Sequence, residues 1–209
     1  MLALLSFDHL VGLDEDEKVF EPAFASFRKR APWLLLKLVA VSIAALFVYA
    51  HKGTIEQLPI IAAFLPIVGG IGGDAGTQTF TMIIRNLALG TVDLSDTRRM
   101  LLKQLFVGMQ LGLLVAVVAG GVVYVLERAQ QGDPRLSLVL AAALTLNFFI
   151  AALAGTLVPL ALTKLKVDPA VASGLFVTFL TDLLGFVFVL GLASAAMSRF
   201  GAGSPVAAG

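Results

Sequence analysis

Five apolar stretches, each long enough to cross a bilayer, constrain this chain more than anything else in it. A hydrocarbon core of about 30 Å needs roughly 20 helical residues at 1.5 Å per residue. The stretches lie near Pro32–Ala50, Leu58–Leu89, Met100–Leu126, Leu136–Leu162 and Pro169–Met197. Within hydrocarbon every backbone N–H and C=O must be satisfied inside its own segment or in a closed barrel. The expectation is therefore an all-α polytopic membrane protein with five transmembrane helices per subunit. Composition agrees: 58% of the residues are hydrophobic and 14% charged, against about 25% charged in an ordinary soluble domain. Cysteine is absent, which excludes disulfides and thiolate chemistry. His9 and His51 fall in different segments and make no zinc-binding spacing. No catalytic group stands out, so the chain does not read as an enzyme, and nucleic acid is not expected as a partner.

Orientation follows from Lys and Arg in the short connections. Lys18, Arg28, Lys29, Arg30, Arg85, Arg98, Arg99, Lys103, Lys164 and Lys166 fall on one side, and Lys52, Arg128, Arg135 and Arg199 on the other. Lys37 lies within the first span, where its long stem can snorkel. The excess predicts a cytoplasmic N-terminus and an outside C-terminus, in the cell (inner) membrane. Residues 1–31 read as a cytoplasmic or interfacial lead-in, with an acidic run from Asp8 to Glu21 ahead of Arg28-Lys29-Arg30. Residues 32–199 read as the five-helix ion-transport domain and 200–209 as a disordered tail of small residues.

Two carboxylates lie inside this apolar frame: Asp74 in the second span and Asp182 in the fifth. A charge at the centre of a membrane helix costs roughly 2.5–3.5 kcal/mol on insertion scales, so each needs a polar path, a partner or an ion. Around Asp74, Gly70, Thr77, Gln78, Thr81 and Arg85 recur at helical spacing on one face. Gly174, Thr178, Thr181 and Gly185 do the same around Asp182. Pro66 and the glycines at 69, 70, 72, 73 and 76 should break or bend the second span. Blander readings stand beside these. Gly69 and Gly73 suit plain helix packing, and the Thr178 and Thr181 hydroxyls can bond back to their own helix. The aspartates could be ion-paired, with Lys37 and Arg85 the basic residues placed to do it. Gln78 and Asn147 fit interhelical hydrogen bonds, the preferred reading for Asn147.

An oxygen-rich site with a lone carboxylate suits a hard divalent cation. Mg²⁺ binds oxygen at about 2.0–2.1 Å and gives up water reluctantly, so one or two carboxylates commonly hold it with several waters kept. This chemistry does not by itself separate Mg²⁺ from Mn²⁺, Co²⁺ or Ca²⁺.

Several motifs together resemble one family. Gly72-Gly73-Asp74-Ala75-Gly76-Thr77-Gln78 with Arg85-Asn86-Leu87-Ala88-Leu89-Gly90 is similar to the second-helix motif of the MgtE magnesium channels. Asp168-Pro169-Ala170, Ser173-Gly174 and Thr181-Asp182-Leu183-Leu184-Gly185 resemble its fifth helix, and Arg30-Ala31-Pro32-Trp33-Leu34 its entry to the first. The resemblance implies a homodimer in the lipid bilayer, with an ion path at the two-fold axis lined by the second and fifth helices. It implies that Asp182 faces hydrated Mg²⁺, the transported and bound ion, with Thr178 and Gly174 as further oxygen contacts. Asp74, Gly70, Thr77, Gln78, Thr81, Ser173, Thr181 and Gly185 would line the path. Two departures stand out: Asp74 replaces a common Asn, and Leu175 a common Pro. The family's cytoplasmic superhelical and CBS domains have no counterpart in these 209 residues, and a separate regulatory subunit stays open as a partner.

The reading is thus a passive Mg²⁺ channel. An exchanger coupling Mg²⁺ to Na⁺ or H⁺ is the alternative. An intramembrane aspartyl protease is more remote: Ile71-Gly72-Gly73 precedes Asp74 and Leu180-Thr181 precedes Asp182, so neither a G-x-G-D nor a Tyr-Asp motif is present.

Overall fold

The computed structural model of the protein describes residues 19–165 and 169–200, except the side chains of 169–173 and 200. The elements are α1 (Ala23–Ala50), the short α2 (Lys52–Gln57), α3 (Pro59–Ala88), a 3₁₀ turn (Leu94–Asp96), α4 (Thr97–Ala129), α5 (Leu136–Lys164) and α6 (Pro169–Phe200). Among the described residues five helices are long and apolar enough to cross a membrane: α1, α3, α4, α5 and α6. These match the five expected spans.

Two features differ from expectation. The first helix begins at Ala23 rather than Pro32 and carries Pro32 inside it. At 28 residues it is about 42 Å long, so its basic first turns extend past the hydrocarbon. The Lys29 ammonium, near that end, pairs with Glu21 at 3.0 and 3.1 Å. The acidic stretch from Asp8 to Glu17 lies outside the described residues, as does the tail from Gly201. The second difference is larger: α3 is one helix through Pro66 and all five glycines. An interior proline costs about 3 kcal/mol, but opening the helix in hydrocarbon would orphan further backbone groups.

Packing is organised around α5, which lies against α3, α4 and α6, while α3 also packs on α6. The shared core joins Val68 of α3, Leu140, Ala143 and Leu144 of α5, and Val189, Leu190 and Ala193 of α6, all at most 1% exposed. A second cluster joins Phe80 and Ile84 to Ala154 and Val177. By contrast α1 packs mainly on α6, and only 6% of its most apolar window is buried, against 50% for α5. Asp93 caps the turn before α4, accepting from the Ser95 N–H at 2.7 Å while its own N–H donates to Asp96. The bonds from the Ser95 hydroxyl and backbone hold the Asp93 carboxyl below the usual carboxylate range.

Candidate cation pathway

The two sides of α3 differ in kind. On the inner side the helix lacks side chains where its neighbours press closest. A Cβ on Gly72 would fall on the Asn147 amide, and one on Gly76 would lie 2.6 Å from Val177 Cγ1. Reciprocally, a Cβ on Gly155 of α5 would lie 2.5 Å from the Gly76 carbonyl oxygen. Asn147 is fully buried and its Nδ2 donates to the Val68 carbonyl at 2.8 Å, tying α5 to α3. This is the interhelical role expected for it. Its Oδ1 has no partner among the described residues.

Gly69 and Gly73 do more than admit a neighbouring helix. A Cβ at Gly69 would sit 3.1 Å from Asp182 Oδ1, and one at Gly73 would sit 3.2 Å from the Thr178 methyl and 3.9 Å from Asp182 Oδ1. The Asp182 carboxylate therefore rests in a notch of α3, partly buried, with no hydrogen bond or ion pair of its own among the described residues. The charge of Lys37 on α1 reaches it electrostatically, and Lys37 itself is exposed. The sequence signal for the notch was present, two glycines at i, i+4 one position off the polar face, but plain helix packing was the preferred reading of them. A lone lysine inside an apolar span was the signal for Lys37.

On the outer side Gly70, Asp74, Thr77, Gln78, Thr81 and Arg85 form the expected stripe. Asp74, Gln78 and Arg85 are exposed, and a Cβ on Gly70 would meet nothing within 4 Å. Asp74, Thr77, Gln78, Thr81 and Arg85, with Met82, line an open groove of about 480 Å³. Unlike the threonines packed inside the bundle, Thr77 and Thr81 form no hydrogen bond back to their helix among the described residues.

On α6 the expected face divides. Thr181 is fully buried, and its hydroxyl donates to the carbonyls of Val177 at 3.0 Å and Thr178 at 2.9 Å. Gly185 is buried too: a Cβ there would lie 2.8 Å from Asn147 Nδ2. Both are turned into the protomer rather than towards its open side. The Thr178 hydroxyl donates to the Gly174 carbonyl at 2.7 Å, so the backbone oxygens of Gly174 and Thr178 each already accept a hydroxyl. Helical spacing could not foresee this split, because α3 and α5 cover an arc that holds Thr181 and Gly185 but leaves Asp182 at its edge. The Ser173 side chain lies outside the described residues.

Among the described residues no three His, Cys, Asp or Glu side chains cluster as a metal cage. Single carboxylates flanked by hydroxyl and amide oxygens suit a cation that keeps much of its water. The helices and this polar stripe define a multi-pass α-helical membrane protein with the donor chemistry of cation transport. Residues 65–192 match the MgtE family, described as divalent cation transporters. The chain is 32% identical over 177 residues to the magnesium transporter MgtE of Bacillus subtilis, covering 83% of this chain and 38% of that protein. Against its Thermus thermophilus counterpart the identity is 33% over 188 residues, 88% and 41% of the two chains. For Enterococcus faecalis it is 31% over 198 residues, 95% and 43%. This chain belongs to the MgtE family, and it spans about two fifths of the length of these curated relatives.

Proposed function

We propose that this chain conducts Mg²⁺ passively across the cell membrane, as the membrane part of a homodimer whose pore is lined by α3 and α6. On this reading the N-terminus lies in the cytoplasm and Asp182 of each subunit faces the ion, with Asp74 and the groove residues on the route towards it. One observation carries the reading. The polar groups of α3 at Asp74, Thr77, Gln78 and Thr81 share an open groove and have no intramolecular partner among the described residues. A polar group left unpaired in hydrocarbon costs several kcal/mol, so such a stripe belongs beside water. Asp182, likewise unpaired and held in the Gly69–Gly73 notch of the same helix, supplies the charge that favours a divalent ion.

Asp182→Ala should abolish Mg²⁺ uptake in a transport-deficient strain while the assembled dimer persists. Asp182→Asn should retain little, because the amide keeps the shape and loses the charge. Wild-type uptake by Asp182→Ala would refute the assignment. A Mg²⁺ current in liposomes that persists without Na⁺ and without a proton gradient identifies a channel. A strict need for either gradient identifies the exchanger instead.

A further inference from the structure

At the opposite end of the bundle from Arg85, where α3 and α5 begin and α4 ends, the helices frame an open pocket of about 350 Å³. At roughly 30 Å³ per water it has room for about ten. Its lining residues with polar side chains are Glu127, Gln57 and Gln130. Glu127 is only 9% exposed, and its carboxylate forms no hydrogen bond or ion pair among the described residues. Two basic side chains at this end are engaged elsewhere: Arg128 lies 5.6 Å from the Tyr124 ring centroid, and Lys52 lies 5.5 Å from that of Tyr49.

The turn after α4 is shaped around this carboxylate. Gln131 takes a left-handed φ of 57°, and Gly132 N–H donates to the Glu127 carbonyl at 2.8 Å. That brings Gly132 so close that a Cβ there would fall on Glu127 Oε2. A carboxylate on a largely buried residue, without a protein partner of its own, is free to attract a cation. One carboxylate, two neighbouring glutamines and space for a water shell suit a hard divalent ion that stays hydrated.

We propose that the Glu127 pocket is a second cation site, in which the carboxylate attracts a hydrated divalent ion and Gln57 and Gln130 hold its waters. It serves as a loading site for the ion later passed to Asp182, and to that extent it rests on the transport reading above. The test is Mn²⁺ titration of the purified full-length chain in detergent, read by electron paramagnetic resonance, for wild type, Glu127→Gln, Asp182→Asn and the double variant. Glu127→Gln should weaken one class of sites about 10- to 100-fold, the usual loss when a supporting partner of a bound metal is removed. Asp182→Asn should keep that class, and the double variant should lack both. Binding unchanged by Glu127→Gln overturns the proposal. Binding lost in Glu127→Gln but untouched by Asp182→Asn upholds the pocket and counts against the transport reading alone. Should Glu127→Gln fail to fold, the pair Gln57→Leu with Gln130→Leu decides. Weakening of the same class supports the site, and wild-type binding refutes it. The loading role adds a rise in the half-saturating Mg²⁺ concentration for uptake by Glu127→Gln, and an unchanged value removes that role.

Discussion

One helix, α3, has an inner side whose glycines are met closely by neighbouring helices and an outer side where Gly70 meets nothing and Asp74 and Gln78 are exposed. Gly76 and Gly70 show the difference. A methyl on the first would strike Val177, and a methyl on the second would enter open space. Asn147 and Asp74 repeat it with polar side chains, the one fully buried and bonded to a backbone carbonyl, the other exposed and without a partner among the described residues. The inner side thus holds the bundle together through close approach. The outer side is free of that duty, which leaves its polar groups open to the role proposed for them above.

This division fails most visibly if inner glycines tolerate substitution. Gly155→Ala places a methyl 2.5 Å from the Gly76 carbonyl oxygen, a contact with backbone that cannot swing aside. It should lower stability by about 1–3 kcal/mol, read as a drop in the thermal midpoint in detergent. Gly70→Ala should leave stability unchanged or raise it by up to about 1 kcal/mol through helix propensity, read as an equal or higher midpoint. Equal losses in the two variants would show that the two sides are not distinct.

Gly69→Ala sharpens the comparison at the notch. Its methyl would sit 3.1 Å from Asp182 Oδ1, tight enough to nudge the carboxylate and too loose to unseat a helix. Divalent-cation affinity should fall several-fold with little change in stability. A stability loss as large as that of Gly155→Ala would make Gly69 an ordinary packing residue.

The smallest effect belongs to the connection before α4. The folded Asp93 carboxyl is held below its ordinary range. Its contribution to the turn is therefore present above the usual carboxylate pKa and is lost as pH falls through the lowered one. Asp93→Ala should speed amide exchange over Leu94–Arg98 at neutral pH and leave uptake alone. Exchange in wild type should approach the variant's only in strong acid.

The five spans were legible because hydropathy over about 20 residues is set by each segment alone. The outer stripe of α3 was legible for a similar reason: helical periodicity places Gly70, Asp74, Thr77, Gln78 and Thr81 on one face without reference to any neighbour. What escaped depended on which arc of a helix its neighbours cover. Thr181 and Gly185 share a face with Asp182 by spacing, yet α3 and α5 bury those two and leave the carboxylate at the rim. Pro66 and its glycines signal a break in water, whereas the helix runs through them with α5 and α6 packed on its inner side. Glu127 and Lys37 were single charges with no motif around them, and only the folded chain shows what each one approaches.

The bond from Asn147 to Val68 spans 79 residues of chain. At a ribosomal pace of about 5–20 residues per second, α3 waits roughly 4–16 s in the bilayer before the helix that anchors it has been made. Throughout that interval it carries a bare glycine seam without its eventual neighbours, behind an exposed carboxylate and glutamine. Such a segment is a poor candidate for immediate release into lipid, and it should linger beside the insertion machinery until α5 and α6 emerge. Site-specific crosslinks from Gly72 to the translocation channel should therefore persist in nascent chains halted before Asn147 and fade in chains that extend past Gly185.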